Sequence, residues 1–182
     1  MNNQRVCPVT MAGSLDNRFR RWLQNPQKLL KPYVKPGMTV MDIGCGPGFF
    51  TLEMARMTGP SGHVIAADIQ EGMLQKVRNK ITDTDLQDWI RLHQCQKNNI
   101  GITEQVDFIL AFYMVHEVPD QEKFLLELHS ILKPGGMLLI IEPIFHVTIK
   151  AFERMVETLE QCGFTKITRL KMILSSGILV SR

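Results

Sequence analysis

The stretch Val40-Met-Asp-Ile-Gly-Cys-Gly-Pro-Gly-Phe-Phe-Thr51 decides the fold of this chain. An apolar run from Met38 ends at Gly44, and Phe49 to Met57 then carries Leu52, Ala55 and Arg56 among strong helix formers. The segment reads as strand, glycine turn, helix. Glycines at a strand end let the backbone turn tightly and approach a ligand, while the following helix offers its free amides. A dinucleotide fingerprint needs Gly-x-Gly-x-x-Gly; here the glycines are Gly44, Gly46 and Gly48, and Phe49 occupies the last required position. Asp42 stands two residues before the first glycine. A carboxylate there repels a pyrophosphate and suits a ligand bearing a positive ammonium or sulfonium group.

Outward from the loop, short β-rich runs alternate with segments of helical period, the pattern of a parallel sheet flanked by helices. His63-Val-Ile-Ala-Ala leads to Asp68, where an acid at a strand end can accept hydrogen bonds from two ribose hydroxyls. Gln70 to Ile81 places Met73, Leu74 and Val77 on one helical face, and Ile90-Arg-Leu-His is a third strand. Val106-Asp-Phe-Ile-Leu-Ala-Phe has the continuous apolar character of a strand buried on both faces. Asp120 caps a helix carrying Phe124, Leu125, Leu128, Ile131 and Leu132, which Lys133-Pro-Gly-Gly is expected to stop before a strand over Met137 to Ile141. Thr148 caps a helix with Phe152, Met155, Val156 and Leu159, ended by Gly163. The last runs, Phe164 to Leu170 and Gly177 to Val180, have no helix between them and must pair antiparallel.

These residues resemble the class I S-adenosylmethionine-dependent methyltransferases, whose first motif is a hydrophobic strand leading into (Asp/Glu)-x-Gly-x-Gly-x-Gly. Val40 to Gly48 matches that motif, and the likeness continues through Val64 to Asp68, Val106 to Glu117 and Leu132-Lys-Pro-Gly-Gly-Met-Leu-Leu-Ile. The resemblance implies an α/β, three-layer Rossmann-like sandwich with a seven-stranded, mostly parallel sheet and an antiparallel C-terminal hairpin strand. It also implies S-adenosylmethionine as the cofactor. By that likeness Asp42, Gly44 and Gly46 hold the methionine end, Asp68 the ribose, and Ile69 and Met73 the adenine face, and Ile43, Cys45, Gly48 and Phe49 are counted with the cofactor-binding residues. The third-strand acid of the family is replaced by Gln94-Cys95-Gln96, so the adenine is left to an amide side chain or backbone groups, and Cys95, Gln96, Ala111 and Phe112 are counted with the cofactor-binding residues.

The chain has 182 residues, 45% of them hydrophobic, enough for one core, and it is read as a single methyltransferase domain with a helical lid over residues 1–37 and an α/β core over 38–182. The lid carries Arg18 to Trp22 and Cys7, a small hydrophobe or reactive thiol, and Asn25-Pro26 begins a further short helix. A formal net charge of +3 with 21% charged residues is far from the basic balance that nucleic-acid binding favours. No apolar run is longer than a strand, and the amino terminus carries no signal-peptide pattern, so a cytoplasmic protein without membrane or nucleic-acid partners is expected. The four cysteines show no metal-ligand spacing, so no metal is expected, and homodimer formation is left open.

On the acceptor side, Phe112-Tyr-Met-Val-His-Glu follows the fourth strand, where ligands of open parallel sheets bind. His116 and Glu117 are the candidate bases and Tyr113 a lining residue; Glu142 and His146, after the fifth strand, are further candidates. The competing role for His116 is a hydrogen bond to its own loop. The (Asn/Asp)-Pro-Pro-(Tyr/Phe) element of amino-group methylation is replaced by Ala111-Phe-Tyr-Met, which favours a small-molecule acceptor. Two other readings stay open: a non-catalytic module that binds S-adenosylmethionine, and a nicotinamide-dependent oxidoreductase, which the glycine spacing disfavours.

Overall fold

The computed structural model describes residues 25–182. Seven strands form a sheet of order β3-β2-β1-β4-β5-β7-β6, mostly parallel with an antiparallel C-terminal hairpin, and helices flank it. The chain divides into two compact units at Cys95/Gln96.

The first unit begins with a short helix, α1 (Pro26–Leu30), in which the Asn25 side chain accepts from the Lys28 amide and proline sits in the first turn, as the Asn-Pro pair predicts. Strand β1 (Thr39–Ile43) pairs in parallel with β2 (His63–Asp68), Asp42 lying opposite Ala66, and β2 pairs in parallel with β3 (Ile90–Gln94). Helix α2 (Thr51–Thr58) follows β1, and α3 (Glu71–Ile81) follows β2 with Met73, Leu74, Val77 and Ile81 buried. The sequence did not announce α4 (Leu86–Trp89), a single turn with no buried residue: without an apolar face it has no periodic signal. The entry to β2 is tightly built. The Gly37 amide donates to the Thr58 carbonyl and the His63 amide to the Met38 carbonyl. A Cβ added at Gly62 would lie 2.5 Å from the Met38 carbonyl oxygen and 2.9 Å from Thr58 Cβ. Gly62→Ala is therefore expected to cost about 3 kcal/mol of stability, since overpacking against backbone has no soft neighbour to displace; a denaturant midpoint equal to wild type would show that the corner yields.

In the second unit, β4 (Val106–Phe112) pairs in parallel with β5 (Leu132–Pro143), and β5 pairs antiparallel with β7 (Ser175–Ser181), which pairs antiparallel with β6 (Thr165–Met172). The expected hairpin is present, with Leu174 at φ 62 in its turn. Helix α5 (Gln121–Ile131) is capped by Asp120, which accepts from the Lys123 amide, and α6 (Ile149–Gln161) by Thr148, which accepts from the Ala151 amide. One expectation is corrected. Lys133-Pro-Gly-Gly does not stand between helix and strand as a turn: β5 already starts at Leu132, opposite Val106, and its next partner is Phe108 opposite Met137. The four residues bulge out within the strand, as a proline without an amide and a glycine at φ 77 allow. Among the described residues no helix is long and apolar enough to cross a membrane.

Candidate active site

In the first unit, β1 delivers Asp42 and then the glycine loop, whose Gly44, Gly46 and Gly48 take φ of 70, 52 and 83, a region that L side chains enter at a cost of about 1–2 kcal/mol. The Gly44 and Cys45 amides both donate to the Ala67 carbonyl, at 2.8 and 3.0 Å, which ties the loop to the end of β2. Asp42 is buried, 2% exposed, and its Oδ2 accepts from Thr51 Oγ1 at 2.6 Å. Strand end and helix start are thereby joined by a side-chain bond. Asp68 is 6% exposed; Oδ2 accepts from the Gly46 amide at 2.9 Å and Oδ1 from the Gln70 amide at 2.8 Å. Burial raises the Asp68 carboxyl above its ordinary value, against the amide bonds that favour the charged form. The Cys45 thiol is pushed well up, first by burial and then by the negative charges of Asp42 and Asp68. It stays a thiol, unsuited to nucleophilic work.

Around this loop, Ile43, Phe49 and Met73 are buried at 3, 4 and 2%, while Ile69 is 40% exposed. The Cys95 amide donates to the Asp68 carbonyl at 2.9 Å. Gln96, counted from sequence with the cofactor-binding residues, belongs to the second unit, where it forms a small bridge with Asn99. Ala111 and Phe112 close β4 as buried residues.

The second unit gathers the acceptor-side candidates. Tyr113, at φ 60, is the first residue past β4; its amide donates to the Ile141 carbonyl at 2.8 Å and its hydroxyl shares a hydrogen bond with Ser175 Oγ. A non-glycine residue held in the left-handed region at a strand end is the kind of strain that functional loops retain. A 3-10 turn over Val115–Glu117 follows, anchored by Gln121 Nε2 donating to the Val115 carbonyl at 3.0 Å. Glu142, from the end of β5, is 1% exposed and takes both ends of His116: Oε1 accepts the His116 amide at 3.1 Å and Oε2 lies 2.6 Å from His116 Nδ1. A carboxylate on Nδ1 fixes the tautomer and leaves Nε2 as the proton acceptor. Burial by itself lowers the pKa of His116, but the Glu142 hydrogen bond and the charges of Glu142 and Glu117 outweigh it, and the ring is a stronger base than ordinary histidine. The His146 ring stands edge-on to that of His116, centroids 5.6 Å apart.

His116, Glu142 and His146 line a cavity of roughly 440 Å³ together with Gln121, Val147, Ala151, Arg154, Met155 and Thr158. Sequence reasoning named the histidines and Glu142 but missed the wall that α6 provides. Ala151, Arg154, Met155 and Thr158 recur at i, i+3, i+4 and i+7, so one helical face was legible, but nothing local said that it borders a cavity. Thr51 and Ser175, the partners of Asp42 and Tyr113, were also missed. Cys7 and the Arg18 to Trp22 lid lie outside the described residues.

A glycine loop flanked by two buried carboxylates, at the strand ends of a seven-stranded sheet closed by an antiparallel hairpin, defines the class of S-adenosylmethionine-dependent methyltransferases. The chain belongs to the methyltransferase-domain family, which matches it over residues 34–174. It is 32% identical over 122 residues, 67% of this chain and 51% of the other, to the demethylmenaquinone methyltransferase of Listeria monocytogenes. It is 32% identical over 123 residues, 65% of this chain and 47% of the other, to a ubiquinone/menaquinone biosynthesis C-methyltransferase of Vibrio vulnificus. The chain thus spans about half the length of these relatives. A SAM-dependent methyltransferase from Aquifex aeolicus superposes with a TM-score of 0.88 at 28% identity, covering 97% of this chain and 99% of that one.

The methyltransferase family and the Aquifex structure imply S-adenosylmethionine as the cofactor. The loop fits it. A Cβ placed on Gly46 would meet nothing within 4 Å, so the backbone there offers an open face, and the nearby carboxylates suit a cationic, ribose-bearing ligand.

Proposed function

We propose that this protein transfers a methyl group to a small hydroxylated acceptor, with His116 as the base that takes the acceptor's proton. The single observation that carries the reading is the Glu142-buttressed His116 on the wall of the cavity. The cofactor supplies an electrophilic methyl on a sulfonium. What the chain adds is alignment, a shielded cavity and a place for one proton. His116 Nε2 accepts the hydroxyl proton, and the buried Glu142 carboxylate stabilises the imidazolium that results. When the hydroxyl sits on an aromatic ring, its loss of a proton makes both the oxygen and the adjacent ring carbon nucleophilic. The names of the relatives, a demethylmenaquinone methyltransferase and a C-methyltransferase of quinone biosynthesis, support an acceptor of this ring type.

On the cofactor side, Asp42, Ile43, Gly44, Cys45, Gly46, Gly48 and Phe49 would receive the methionine end, Asp68 the ribose, and Ile69, Met73, Cys95, Gln96, Ala111 and Phe112 the adenine and its surround. Tyr113 and Glu117 would border the acceptor, with Glu117 acting through its charge on His116. In this reading the two units work as one methyltransferase domain in the cytoplasm, without nucleic acid; the modest net charge of +3 supports the last point.

The test is formation of S-adenosylhomocysteine by the purified protein when S-adenosylmethionine is supplied with a panel of phenols, catechols and hydroquinones. Product that rises with acceptor concentration is the expected outcome. Tight cofactor binding with no product from any hydroxylated ring would favour the binding-module reading.

A further inference from the structure

We propose that the cavity beside His116 holds an anionic substituent of the acceptor, a carboxylate or a phosphate, against the guanidinium of Arg154. The inference deepens the acceptor reading above and rests on it for the identity of the pocket. Arg154 lines the cavity, and among the described residues its guanidinium makes no ion pair and no hydrogen bond. Other arginines of the chain are engaged: Arg169 is paired with Glu153, Arg78 with Glu71 and Arg56 with Glu53. The backbone carbonyl of Arg154 accepts from Thr158 Oγ1 at 2.9 Å.

The negative charge on the same wall is already committed. Glu142 gives both carboxylate oxygens to His116 and is 1% exposed, so it faces its histidine, whereas Arg154, on the same cavity, is exposed. With Glu142 bound to His116, the Arg154 guanidinium is the charged group of the cavity lining that has no counter-ion among the described residues. An Arg fork matches carboxylate and phosphate oxygens in a bidentate way and gains more from them than from neutral groups. Thr158 Oγ1 lies one helical turn away on the same face. Val147, Ala151 and Met155 provide the apolar lining that a ring needs, and His116 and His146, their rings edge-on to each other, line the same cavity. The acceptor is thereby specified as a hydroxylated ring with an acidic group, the base at one end and the cation at the other.

The experiment is calorimetric titration of the full chain, loaded with S-adenosylhomocysteine so that no turnover occurs, with 4-hydroxybenzoate, 4-hydroxyphenyl phosphate and the neutral 4-hydroxybenzamide. One or both anions should bind about tenfold or more tightly than the amide, in line with a charge-assisted pair, and which of them does so separates carboxylate from phosphate. Arg154→Ala should abolish that preference without altering the affinity for S-adenosylhomocysteine or for the amide, and Arg154→Lys should restore part of it. Equal binding of all three by wild type, binding of none, or a preference that survives Arg154→Ala overturns the proposal. Failure of the catalytic reading is seen separately, as unchanged turnover on loss of His116 with the anion preference intact.

Discussion

Replacing His116 with alanine is expected to lower turnover by about a hundredfold or more with an acceptor from the hydroxylated panel, while affinity for S-adenosylhomocysteine stays unchanged. The residues assigned to the cofactor's methionine and ribose belong to the first unit, and His116 belongs to the second, so the two readouts separate. The side chain is partly exposed, so truncation leaves no sealed cavity in the core. The pH dependence follows from the direction of its shift. The base must be neutral to accept a proton, so turnover rises with pH as the imidazolium deprotonates. Because Glu142 and Glu117 raise the pKa, that rise falls above the ordinary histidine value of about 6.5. Glu142→Gln keeps a hydrogen-bond acceptor for Nδ1 but removes the charge. The acid limb should then move to lower pH and the plateau should fall by about tenfold as the imidazolium loses its counter-charge. A His116→Ala variant with wild-type turnover would show that His116 only ties down the loop after β4.

The second large effect concerns two neighbouring glycines of unlike surroundings. Gly46→Ala places its methyl in open space at φ 52, so the fold should lose only the left-handed penalty, about 1–2 kcal/mol. The open space is where the cofactor lies in the proposed site, and affinity for S-adenosylhomocysteine should drop by roughly ten- to a hundredfold, the equivalent of overpacking by one methyl group. Gly48→Ala reverses the balance. Its Cβ would lie 3.1 Å from Val77 Cγ2 at φ 83, so strain and crowding against α3 add, and the loss of stability should reach about 2–4 kcal/mol. Thermal melts and calorimetry on both variants check the contrast. Wild-type cofactor affinity in Gly46→Ala would mean that the open face of the loop belongs to no ligand.

Most of the β and α elements were legible because their causes are local. Apolar residues at Val64 to Ala67 and Val106 to Phe112 announce buried strands, Asp120 and Thr148 each offer an oxygen to an amide three residues on, and the terminal hairpin follows from a connection without a helix. The glycine loop was readable for the same reason. Positive φ at Gly44, Gly46 and Gly48 is a property of the residues themselves, and Asp42 lies within reach of that loop by sequence alone.

What the tertiary structure decided is which distant groups meet. His116 and Glu142 are 26 residues apart, Tyr113 and Ser175 are 62 apart, and each pair forms only because β4, β5 and β7 come together at their ends. The bulge at Lys133-Pro-Gly-Gly likewise depends on the partner strand, since a proline and two glycines suit a turn or a bulge equally well until Val106 and Phe108 set the register. Arg154 reads from sequence as one more solvated charge on an amphipathic helix. It becomes a candidate for recognition only when packing places it on a cavity wall where the neighbouring carboxylate is already bound to histidine. Local periodicity and backbone preference act within a few residues, whereas the identity of a charge's neighbour is set by strand order, and that is information no single stretch of this chain contains.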